Sequence, residues 1–92
     1  MAAAHHIDKP LRLLERVAEG GAVTREEVME ADWCAPRKLD RLLRNAVLEV
    51  LQWISDADIR ARDPNYGRQR LEHIKFQLRE VQAMATRLGI PH

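Results

Sequence analysis

The chain has 92 residues, of which 46% are hydrophobic and 32% charged, and its formal net charge is +1. That balance excludes a disordered chain and suits one small folded domain. It also excludes a bulk electrostatic pull toward nucleic acid or anionic lipid, so any such affinity has to come from a local patch. A chain this short buries at most about two-thirds of its unfolded surface, which makes self-association a natural source of further burial.

Cys34 is the single cysteine, so an intramolecular disulfide is excluded and a reducing cytoplasm is the expected setting. No apolar run approaches the ~20 residues that span a bilayer, and the start lacks the basic region and apolar core of a secretory signal. Arginine outnumbers lysine, the codon-usage expectation for a GC-rich bacterial or phage genome.

Residues 1–9 read as a flexible tail, in which His5 and His6 are tail residues rather than metal ligands, and residues 10–92 read as one helical domain. Pro10 suits a first helical position, Leu11, Leu14, Val17 and Ala18 form an apolar stripe, and Gly20-Gly21 ends that helix. Thr24-Arg-Glu-Glu27 has the spacing of a capping box and opens a short second helix, with Val28 and Met29 inward and Glu26, Glu27 and Glu30 outward.

Trp33-Cys34-Ala35 makes a turn, and Pro36 starts a third helix that runs to at least Ile54. Its apolar arc, from Leu39 through Ala57, covers about half the circumference at ~100° per residue, which predicts a central helix touching several neighbours. Ser55-Asp-Ala-Asp58 resembles a new cap and predicts a break there. Arg62-Asp-Pro-Asn-Tyr-Gly67 reads as a loop, short enough to fold the third and fourth helices into an antiparallel hairpin. The fourth helix, from about Arg68 to Leu88, carries Leu71, Ile74, Leu78, Val81, Ala85 and Leu88 at alternating spacings of three and four, a heptad-type seam. Gly89 and Pro91 terminate it. The fold class is therefore all-α, a bundle of about four helices.

The stretch from Leu13 to Ala46, with its two short helices and a third opening at Pro36, resembles the first three helices of helix-turn-helix and winged-helix regulators. The resemblance makes the third helix a recognition helix. Its outward residues Arg37, Arg41 and Arg44 fall within about 60° of one another and are the nucleic-acid candidates. It departs from those regulators in placing Asp32-Trp33-Cys34 where a glycine is usual, in lacking a β-hairpin wing, and in carrying an acidic second helix. The bland reading of the same arginines is a solvated face paired with Glu26, Glu27 and Glu30.

The seam residues Leu71, Ile74, Leu78, Val81 and Leu88, together with Phe76 and Leu48, which belong to neither apolar stripe, are the candidates for a protein interface. The expectation is a non-enzymatic adaptor, inhibitor or assembly factor that acts as a homodimer on an unidentified protein partner, with a dimeric DNA binder as the alternative and no membrane partner. Cys34, His73 and Asp32 are the residue types of a nucleophile, base and orienter, but their spacing does not bring them together. No glycine-rich phosphate loop or metal-ligand spacing is present. No catalytic residue, cofactor or metal ligand is therefore assigned.

Overall fold

The computed structural model describes residues 4–92, which form five helices: α1 (Asp8–Ala18), α2 (Arg25–Glu30), α3 (Arg37–Ser55), α4 (Ala57–Arg62) and α5 (Pro64–Leu88). The structure is an all-α bundle, and its packing follows the apolar stripes. Leu39 and Leu43, near the start of α3, pack with Val81 and Ala85 near the end of α5. Ala46 and Val50, farther along α3, pack with Ile74, earlier on α5. The two helices are therefore antiparallel, as the hairpin reading requires. α1 lies across both: Ile7 and Leu11 join the first cluster, Leu13, Leu14 and Val17 the second, and the half-buried Leu78 touches both clusters.

The seam is closed within one chain. Ile74, Val81 and Ala85 are fully buried against α1 and α3, so they are withdrawn from any partner surface. The question that the heptad spacing leaves open, whether the stripe packs in cis or across a dimer, is answered by α1. Leu11, Leu14 and Val17 supply the third apolar face.

Three expectations about helix boundaries are corrected. The break at the end of the third helix occurs at Asp56, but the connection to α5 is the extra helix α4 rather than a loop. The residues that read as a loop contain a helix start instead: Asp63 caps α5 by accepting from the Tyr66 amide at 3.2 Å, and Pro64 takes the first helical position. Gly67 is then helical. A Cβ at that position would stand 3.4 Å from Arg60 Cβ, so its absence lets α4 lie close to α5.

The third correction concerns the start of the chain. α1 begins at Asp8, with Pro10 inside its first turn, where the missing amide costs nothing. His6 and Cys34 form an antiparallel bridge with paired 2.9 Å backbone hydrogen bonds. Ile7 is fully buried. The segment expected to be a tail thus enters the fold from His6 onward, because Ile7 fills the end of the first cluster. Residues 1–3 of that expected tail lie outside the described residues.

Other local signals appear where the spacing placed them. Thr24 and Glu27 form the reciprocal capping box. Gly89 takes a left-handed conformation (φ 71°) and the Ile90 amide returns to Ala85 O at 2.9 Å, so Ile90 tucks in as a buried residue after α5. Among the described residues, no helix is long and apolar enough to cross a membrane.

Candidate interaction surface

α3 turns one face to the core and leaves the opposite face in water. Arg37, Arg41, Arg44 and Leu48 recur at spacings of four, three and four, so they line up along that outer face. All four are exposed, Leu48 at 63%. The arginines are not equivalent. Arg44 Nε donates to Asp40 Oδ2 at 2.8 Å, and Trp33 Nε1 donates to the other carboxylate oxygen at 2.8 Å. The hydrogen bond from Arg44, then that from Trp33, hold the Asp40 carboxyl below the usual range. Arg44 thus helps to fasten the turn before α3. Arg37, Lys38 and Arg41 carry no ion pair among the described residues.

The expected pairing of this stripe with the acidic second helix does not occur. α2 docks through Val28 beside Ala46 and Val50, and Arg25 donates to Ser55 Oγ at 3.0 Å, which places α2 along the other half of α3. Glu27 is held by Arg16, at 2.6 Å from Nη1 to Oε2. That hydrogen bond first, and the Thr24 amide second, keep the Glu27 carboxyl below its ordinary value. Glu26 and Glu30 have no ion pair among the described residues and lie beside Met29, which is 70% exposed. Met29, read as inward from the sequence, is therefore an outward knob. Six residues give α2 room to bury only Val28.

Beside the arginine stripe, a groove of about 510 Å³ runs between α3 and α5, lined by Arg37, Lys38, Arg41, Leu42, Glu80 and Met84. Leu42 and Met84 are half-buried and rest on the first core cluster, so the floor is apolar while the rim is mainly basic. Met84 was not singled out from the sequence. Its position one residue before the seam's Ala85 was the available signal, since such a residue flanks the buried stripe and edges toward α3. A second cleft, of about 370 Å³, lies between α1 and α2. It mixes Lys9, Arg12 and Arg16 with Asp8, Glu27 and Glu30, so it has no single sign of charge.

Of the interface candidates read from the sequence, Ile74 and Val81 are core residues, Leu71 and Leu78 are half-buried, and Leu48, Phe76 and Leu88 are exposed. Phe76, at 51% exposure, is not covered by α1 or α2, and Leu88 is exposed in the last turn of α5. The residue types of a nucleophilic triad are dispersed. Cys34 pairs through its backbone with His6, Asp32 meets Lys9 at 3.1 Å, and His73 Nε2 lies 3.5 Å from Glu49. No group of His, Cys, Asp or Glu among the described residues is arranged to hold a metal ion.

A buried polar latch at the α3–α4–α5 junction was not legible beforehand. Asp56 is 5% exposed and receives hydrogen bonds from Tyr66 Oη and from Gln52 Nε2, with Arg70 at 3.7 Å. The Tyr66 bond is the main reason its carboxyl titrates below the ordinary range, and the same bond pushes the phenol up. Arg70 also meets Glu49 at 3.3 Å, while Arg60 stacks over Trp53 at 3.6 Å. These groups tie α3, α4 and α5 together at their junction. No family model, characterised protein or solved structure matches this chain.

Proposed function

We propose that this protein is a non-enzymatic helical binding module of the cytoplasm, which recognises a protein segment through the groove between α3 and α5. The observation that carries the reading is the pairing of an apolar floor, Leu42 and Met84, with the unpaired cations Arg37, Lys38 and Arg41. An acidic amphipathic helix suits that arrangement: one apolar side chain enters the groove and carboxylates one turn away meet the rim. Arginines without internal partners lose little on binding, because no existing ion pair has to break. The free thiol of Cys34 accords with a reducing compartment.

The same unpaired cations favour duplex DNA as a second reading, with α3 as the recognition helix. The acidic residues Glu26 and Glu30 and the apolar groove floor weigh against it, since neither complements a phosphate backbone. One experiment separates the two. Fluorescence anisotropy is measured with a labelled acidic helical peptide bearing a single methionine between glutamates, and in parallel with mixed-sequence duplex DNA, over a salt series. The peptide should bind the parent and lose at least ~10-fold in affinity with Arg37→Glu/Arg41→Glu. Tight DNA binding with a slope of roughly one unit of log affinity per phosphate contact, and no peptide binding, would put the DNA reading in its place.

A further inference from the structure

We infer that the segment this groove takes is α2 of a second copy of the same chain, so that the protein closes into a two-fold dimer; the inference rests on the groove being a protein-binding site. The two surfaces complement each other in polarity and spacing. On α2, the exposed Met29 lies beside Glu26 and Glu30, two carboxylates four residues apart that fall on one side of it, about 60° and 100° round the helix. On α3, Arg37 and Arg41 are likewise four residues apart and border the apolar floor of Leu42 and Met84. Four residues of helix rise about 6 Å, so two carboxylates and two guanidinium groups on the respective helices share one repeat. Seated with Met29 over Leu42 and Met84, α2 sets Glu26 and Glu30 against Arg37 and Arg41.

Within one chain these surfaces cannot meet. α2 is fixed beside Ala46, Val50 and Ser55, at the far half of α3 from Arg37 and Arg41. Each copy therefore presents an acidic knob, whose Glu30 also borders the α1–α2 cleft, and a mainly basic groove, whose rim includes Glu80, and the two do not meet within the chain. Two copies related by a two-fold axis satisfy both contacts at once, each knob in the other's groove. Met29 and Leu42 then account for apolar surface that the cis-closed seam does not cover. Leu48 lies on the same outer face of α3 as Arg37 and Arg41.

The test uses the full chain and sedimentation velocity over a concentration series, with circular dichroism to verify helicity. The parent should move from 10.6 kDa toward twice that mass at high micromolar concentration, and should dissociate at ~1 M salt, where screening reaches ~3 Å. Glu26→Lys/Glu30→Lys and Arg37→Glu/Arg41→Glu should each stay monomeric, because like charges then face each other. Mixed in equal amounts, the two variants should form a heterodimer, since one supplies a basic knob to an acidic groove and the other keeps the native pair. Met29→Ala, which alters no charge, should weaken the dimer ~10-fold or more as the knob is removed.

A parent that is monomeric at every concentration overturns the inference. So does a dimer that survives both charge reversals, a mixture that fails to pair, or a mass that climbs past two. A monomeric parent that still binds the acidic peptide in the groove overturns this inference and leaves the binding-module reading standing. A parent that neither dimerises nor binds the peptide overturns both.

Discussion

Ile74 and Leu88 lie on one stripe of α5, yet the structure gives them unequal surroundings. Ile74 is fully buried among Leu14, Val17, Ala46 and Val50, whereas Leu88 is 43% exposed at the last turn. Truncating Ile74 to Ala removes three buried carbon atoms from a site walled by three helices, which cannot all collapse around the gap. Such changes cost about 2–5 kcal/mol, and the rigid position at mid-helix points to about 3–4. Leu88→Ala opens no enclosed cavity and should cost under ~1 kcal/mol. In a domain of this size 1 kcal/mol moves the melting temperature by roughly 4–8 °C, so Ile74→Ala should melt at least ~12 °C below the parent. The assay is thermal unfolding followed by circular dichroism at two protein concentrations, one at which a dimer would be populated and one well below it. Equal losses for the two variants would refute the cis-closed seam. So would a loss at Ile74 that vanished on dilution, because a stripe buried across a dimer is already exposed in the monomer.

Two further outcomes follow from the local geometry. Ile7→Ala should cost about 2–5 kcal/mol in urea unfolding, because Ile7 closes the end of the first core cluster; a loss near zero would mean that the segment before α1 is not part of the fold. Asp56 is held below its ordinary pKa chiefly by Tyr66, so its contribution to stability is present at neutral pH and is lost as the pH falls from about 4 through its lower folded value. Asp56→Asn should therefore be less stable than the parent at neutral pH and approach it in acid, and Tyr66→Phe should move the parent's acid limb to higher pH; a gap between Asp56→Asn and the parent that did not shrink in acid would refute this.

Much of the helical plan is written locally. The Thr24–Glu27 capping box, the stop at Gly89 and the stripe on α5 each depend on side chains within one or two turns, so spacing alone places them. The all-α class follows from the same short-range periods. The Asp63-Pro64 step is ambiguous in the sequence because one signal has two meanings: a turn-favouring pair is also a cap followed by a first helical residue, and the structure, with its Asp63–Tyr66 cap and the close approach of α4 to α5 at Gly67, has the second.

What the sequence by itself determined is which faces of the helices are apolar; the tertiary structure decided which of those faces meet. Ile74 and Phe76 are both apolar residues of α5, but α1 and α3 cover the first and leave the second in water. Arg37, Arg41 and Arg44 look alike on one helix face, but Asp40 holds Arg44 while the other two border a groove whose opposite wall comes from a residue more than forty positions away, Met84. Hydrophobic burial is nearly directionless and grows with area, so a stripe specifies that a partner surface is needed and not which one. The choice is made by how three helices of unequal length fill space together, and that is a property of the packed chain.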